Sequence, residues 1–284
     1  MIRLMRYGIR TLLTVFLLCC APVTVQAAPA QVMNYELYVG GINAATAQLD
    51  LILASNRYDI RLFAETKGLL GKIVPWAGTF DTKGQEKGVG FLPSLHSSRA
   101  LTKNKDEVKT YKYGSSGAFL NYSQVENGKD RTPKKLDPAL TQNTIDALTA
   151  TLSLMQNVAA RGECTGESEV FDGKRRFKMI FRDEGEDTLT ANKYNIYAGP
   201  ARRCSLEVVP QGGKWSDQPR GWMSIQEQGL EKGALPTFWL AQIEKNKPAT
   251  LVKSQIKTDY GVFFAHLIRY RHGENDVKAS VLKN

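Results

Sequence analysis

Apolar and polar residues alternate along most of this chain with a period of two, the mark of half-buried strands rather than helices. The alternation runs through Asn34–Val39 (NYELYV), is punctuated by Gly40-Gly41, and resumes over Gln48–Ala54 with Leu49, Leu51 and Leu53 on one face. Asn56-Arg57 turns the chain, and Tyr58, Ile60 and Leu62 repeat the pattern, which predicts an antiparallel meander. Further strands are predicted over Ala77–Gln85, with a turn at Lys83-Gly84, over Val89–Arg99, and as a hairpin of Val108–Tyr113 and Ala118–Val125. Residues 67–74 (KGLLGKIV) break the period as a helical turn or an apolar loop. Leu69, Leu70, Ile73 and Val74, with Trp76, form an apolar lip there, suited to a lid or to facing a membrane. Asn127–Pro138 is charged and rich in turn formers, so a surface loop is expected.

A helical period occurs in a single stretch. Thr141–Ala160 places Ile145, Leu148, Leu152, Met155 and Ala159 at spacings of three and four, with Asn143 as N-cap and Arg161-Gly162 as the stop. An amphipathic helix in a β-rich chain needs a sheet to lie against. Beyond Cys204 strands are predicted over Ser205–Val209, Gly221–Gln228, Thr237–Ile243, Lys253–Thr258 and Val262–Arg271, with a polar loop at Gln211–Pro219 and a frayed end at Leu282–Asn284. The expected fold is mostly β: a curved, wrapped antiparallel sheet, as a half-barrel or β-spiral, packed against one amphipathic helix. It is expected to form one domain over residues 28–284.

The stretch from Cys164 to Cys204 organises the second half. Asp172-Gly173 is a hairpin signal, because a tight turn needs positive φ. With those two residues as the loop, Glu169 falls opposite Arg176 and Glu167 opposite Lys178, while Val170, Phe177, Met179 and Phe181 share the other face. The acidic group Asp183, Glu184, Glu186 and Asp187 is read as a solvated turn after the second strand, since it lacks the ligand pattern of a calcium loop.

The N-terminus bears on compartment. Arg3, Arg6 and Arg10 precede the apolar run Leu12–Ala21, and Val25-Gln26-Ala27 offers small residues where a signal peptidase cuts. Cleavage after Ala27, with Ala28 and Ala30 as near equivalents, predicts a periplasmic protein with no transmembrane anchor. Lipidation at Cys19 or Cys20 is disfavoured, because neither is preceded by a small residue. Cleavage leaves Cys164 and Cys204, for which one structural disulfide is the simplest fate in an oxidising compartment. The formal charge of +10 falls by three with the leader and still favours anionic or lipidic envelope components over nucleic acid.

Motifs for chemistry are sparse. His96, His266 and His272 are too scattered for a metal site and are expected as surface or strand histidines. The chain has no G-x-S-x-G elbow, P-loop or dinucleotide fingerprint, so no catalytic residue, metal or cofactor is assigned, and oligomeric state is left open.

Several of these segments together carry a resemblance. The leader, the Gly-Gly after a tyrosine-rich strand, Thr66-Lys67-Gly68-Leu69, Cys164, Val170-Phe171-Asp172-Gly173-Lys174-Arg175-Arg176-Phe177, Tyr197-Ala198-Gly199, Cys204 and Thr258-Asp259-Tyr260-Gly261 are the residues concerned. The chain resembles the DUF3108 family, a domain of unknown function in Gram-negative periplasmic proteins. The resemblance implies an envelope protein and supplies no catalytic residues. The expected role is non-catalytic support of the cell envelope through a protein partner or envelope component. The alternative is a lipid or hydrophobic-ligand carrier, which calls for an apolar interior cavity of at least roughly 300 Å³.

Overall fold

The computed structural model describes residues 28–88, 90–215, 222–258 and 261–278. The expected leader, the lipidation candidates, Asp259-Tyr260 and the terminal residues Leu282–Asn284 lie outside them. The first half comprises β1 (Gln31–Val39), β2 (Ile42–Ala54), β3 (Arg57–Thr66), α1 (Gly68–Ile73), β4 (Trp76–Lys87), β5 (Gly90–Thr102), β6 (Asp106–Tyr113), β7 (Phe119–Glu126) and β8 (Lys129–Asp130). Then come α2 (Pro138–Thr141), α3 (Ala147–Arg161), β9 (Gly166–Phe171), β10 (Arg175–Leu189) and β11 (Gly199–Gly213). The chain continues through α4 (Trp222–Glu231), β12 (Thr237–Ala241), β13 (Thr250–Thr258), β14 (Gly261–His272) and β15 (Asn275–Lys278).

All the strands belong to one antiparallel sheet of order β8-β7-β6-β5-β4-β3-β2-β1-β14-β13-β12-β11-β10-β9, with β15 on β14. The chain starts in the middle, meanders out to β8, crosses by α2 and α3 to the opposite edge, and meanders back to pair β14 with β1. The sheet is not closed into a barrel. It wraps far enough that Phe171, at the end of β9, packs against Tyr111 of β6 and Tyr122 of β7. The main core lies on the concave side, where Leu152 and Met155 of α3 meet Met33, Leu51 and Ile60 from the strands.

Several local expectations are corrected. The long helix begins at Ala147 with Asp146 as its cap, not at Thr141 with Asn143; Asn143 sits at φ 57, and Thr141 ends the short α2. Ile145 keeps the helical phase in the sequence but bridges Val170, its N–H donating to the Glu169 carbonyl at 2.9 Å. The predicted strand Gly221–Gln228 is helical in α4, where the buried Gln226 amide takes the place of a strand neighbour: Oε1 accepts from Val208 N–H (2.6 Å) and Nε2 donates to Val208 C=O (3.1 Å). Lys83-Gly84 is a bulge inside β4 rather than a turn. The acidic group likewise does not end its strand; β10 runs through it with a bulge between Asp183 and Glu186, where Gly185 takes φ 94. The surface segment after residue 126 also contributes the two-residue β8, and the segment after residue 210 extends β11 to Gly213.

Candidate functional site

The Val170–Phe177 motif fastens the sheet. Its loop is longer than two residues: Arg176 pairs with Phe171 and Lys178 with Glu169, a register two residues from the expected one. A shift of two preserves which face each side chain occupies. The expected ion pairs therefore persist on the diagonal, Arg176 Nε to Glu169 at 3.1 Å and Lys178 Nζ to Glu167 at 3.1 Å. Asp172 builds the turn by accepting from the backbone N–H groups of Lys174 (3.0 Å) and Arg175 (2.8 Å). Gly173 is required there, since it holds φ 93 and a Cβ would lie 2.5 Å from the Tyr122 hydroxyl. The basic run is engaged internally: Arg175 binds Asp172 and stacks 4.9 Å from the Trp215 ring, and Arg176 also donates to the carbonyls of Ala139 and Gln142.

Cys164 and Cys204 form the expected disulfide, with Cα atoms 5.6 Å apart across a separation of 40 residues. Asp183 sits beside it, accepting from Cys164 N–H (2.8 Å), from Gly185 N–H (2.9 Å), and from Arg202 through two bonds of 2.6 Å. The Arg202 guanidinium leads in holding this carboxyl down at about 2. This acid is a brace for the disulfide corner.

Two cavities open between α3 and the concave sheet. The first has a volume of about 280 Å³ and walls from both halves of the sheet, including Leu37, Ala47, Leu62, Phe238 and Ala265, together with Leu148, Thr151 and Met155 of α3. Almost all of its lining is carbon. Thr151 directs its hydroxyl away to the Ala147 carbonyl at 2.8 Å. Tyr35 is among its walls, but its phenol oxygen is buried out of reach of water and has no hydrogen-bond partner among the described residues. Small residues make the room: Ala47 stands beside Leu49 on β2, and Ala265 pairs with Leu37.

The second cavity, about 310 Å³, shares the walls Leu62 and Leu148 and adds His96, Asp146, Lys109 and Tyr111. Asp146 Oδ1 accepts from the Thr82 hydroxyl (2.9 Å) and the Thr149 N–H (3.0 Å), and Oδ2 accepts from the Thr149 hydroxyl (2.6 Å). Because Thr82 donates to Asp146, it is left to accept from His96 Nδ1–H at 2.7 Å. Burial holds the His96 imidazole below its ordinary range, against the pull of the Asp146 and Asp81 carboxylates. The group ties the start of α3 to β4 and β5. His96 is thus a buried strand histidine, while His266 is half-buried against Phe264 and Tyr194. Among the described residues, no three His, Cys, Asp or Glu side chains converge on a metal position.

The predicted lip is exposed. α1 has no buried residue, and Leu69 (64 %) and Ile73 (68 %) are open to solvent, with Leu70, Val74 and Ile42 also exposed and Trp76 partly covered. Lys67 and Lys72 flank them, and no acidic residue occurs from Thr66 to Phe80. Among the described residues, no helix is long and apolar enough to cross a membrane.

A family model described as a protein of unknown function, DUF3108, matches residues 34–268. The chain belongs to that family. No curated protein and no solved structure matches it. The DUF3108 match begins in β1 and ends in β14, so the disulfide, the hairpin motif and every wall of both cavities fall inside it. The cavity walls carry no signature of a site in the sequence. The walls of the first cavity are mostly apolar residues of alternating strands and of α3, and the polar walls of the second, His96, Lys109 and Asp146, are scattered along the chain.

Proposed function

We propose that this DUF3108 protein is an exported, non-catalytic binding protein of the cell envelope that holds one apolar chain beneath α3. The observation that carries the proposal is the carbon-lined cavity of about 280 Å³. Its volume falls just below the roughly 300–1,000 Å³ typical of small-ligand sites, which suits a single chain better than a lipid with several. The disulfide fits an oxidising compartment. The exposed lip, flanked by lysines and free of acid, supports contact with an anionic membrane from which such a chain is taken.

Ligand binding is tested with the purified full chain, by mass spectrometry of its organic extract and by displacement of the fluorophore N-phenyl-1-naphthylamine. The expected result is copurified acyl species and saturable displacement by alkyl compounds. Ala47→Trp, which places an indole in the cavity, is expected to lower probe affinity at least tenfold. Clean extracts together with wild-type protein that binds no probe would refute the proposal.

A further inference from the structure

Lys109 of β6 lines the second cavity, and no other lysine or arginine is among the described walls. Most of its side chain is covered, while 20 % stays open to water. A largely buried ammonium calls for close partners for its three protons, and charge-assisted bonds ordinarily measure about 2.7–2.9 Å. Those of Lys109 are long. Its Nζ stands 3.4 Å from the Asp172 carbonyl and 3.8 Å from Glu107 Oε1, with no other carboxylate within 4 Å among the described residues. Glu107 is itself engaged, Oε1 accepting from Gln124 Nε2 at 2.6 Å and Oε2 facing Lys105 Nζ at 3.1 Å. The other acids of the wall are engaged too: Asp172 binds Arg175, and Asp146 accepts from Thr82 and Thr149. Burial lowers the Lys109 pKa, against the upward pull of Glu107 and Asp172. Asp172 also lines the cavity, which sets the ammonium at its margin, and Ser98, the partner of Lys109 across the β5–β6 register, is in the same wall. Leu62 on the sheet and Leu148 on α3 wall both cavities, so the polar space abuts the carbon-lined one at this pair.

We propose that Lys109 receives the carboxylate of a single-chain fatty acid, whose tail passes between Leu62 and Leu148 into the carbon-lined cavity. A carboxylate suits this wall better than a phosphate. One ammonium balances one negative charge, and the carboxylates of Asp146 and Asp172 oppose a second. The inference rests on the carbon-lined cavity being a binding site and adds the chemistry of the ligand's polar end.

The test uses three probes with one tail, decanoate, decanol and decyl phosphate, competing with N-phenyl-1-naphthylamine for the purified full chain at neutral pH. Lys109→Met keeps the apolar stem and removes the charge. It is expected to weaken decanoate about tenfold, near 1.4 kcal/mol, and to leave decanol within about twofold, which also shows that the variant is folded. Lys112→Gln removes an exposed charge from the same strand and is expected to leave all three affinities unchanged. Decyl phosphate is expected to bind wild type more weakly than decanoate. On wild type, a water-soluble carbodiimide is expected to couple bound decanoate to Lys109 Nζ as an amide, found by peptide mapping. Equal effects of Lys109→Met on decanoate and decanol, no effect on either, or coupling that spares Lys109 would overturn the inference while leaving the cavity as a site. Decyl phosphate binding more tightly than decanoate would overturn the choice of a carboxylate. If neither decanol nor decanoate displaces the fluorophore from wild type, the cavity proposal falls and this inference with it.

Discussion

His96 shows how one residue type takes opposite roles according to burial. Three scattered histidines suggest surface or strand positions, yet His96 is closed in by Tyr111, Thr82 and Asp146 and held neutral by burial. The sign of its linkage to stability follows. Its folded pKa lies below the roughly 6.5 of the unfolded chain, so between those values the unfolded state binds more protons and stability falls as pH drops. His266, lowered by burial and by Lys253, contributes in the same window. Asp183, held at about 2, contributes stability that is fully present above its unfolded value, near 4, and is lost only as pH falls toward 2. Urea midpoints at pH 7.5 and 5.0 are therefore expected to decline in wild type and to decline less in His96→Gln. Identical declines would show that His96 does not titrate differently on folding.

Among the elements, the hairpin and the lip make a contrast that sequence alone does not draw. Both are conspicuous in the chain, but Phe171 is 2 % exposed inside an aromatic cluster and Leu69 is 64 % exposed on α1. Phe171→Ala removes the ring that joins β9 to β6 and β7, and is expected to cost about 3–5 kcal/mol in denaturant unfolding. Gly173→Ala adds a Cβ against Tyr122 at positive φ and is expected to destabilise as well. Leu69→Ala is expected to stay within about 0.5 kcal/mol of wild type, as a surface change does. A Phe171→Ala protein as stable as wild type would mean that the wrapped sheet does not depend on this latch.

For the molecule as a whole, topology explains where the disulfide sits. α3 carries the chain from one edge of the sheet to the other, so β9 and β10 begin a second meander at the opposite end of the strand order. Cys164, just before β9, is joined to Cys204 in β11, which secures the outer end of that meander at the β10 bulge. In the chain-entropy picture, closing a loop of this length stabilises by about 3–4 kcal/mol. The paired substitution Cys164→Ser/Cys204→Ser is expected to lose about that much in a urea titration, and reduced wild type should match it. A loss under about 1 kcal/mol would show that the outer end of this meander is held by packing alone.

What the sequence determined by itself was local. A period of two specifies a strand and its faces, so the residues alone carry the β class, the apolar side of Val170–Phe181 and the charged side with Glu167 and Glu169. The hairpin register slipped by two and the faces survived, because alternation encodes the face and not the partner. The paired cysteines were legible for a similar reason, since only two remain once the expected leader is set aside. The tertiary structure decided the rest. Gln226, on α4, bonds Val208 on the side where β11 has no strand beyond Ser205, and Ile145 leaves the helix to bridge Val170 of β9. The cavity is least local of all. It is the space left where Ala47 and Ala265, from strands at opposite ends of the chain, face one side of α3.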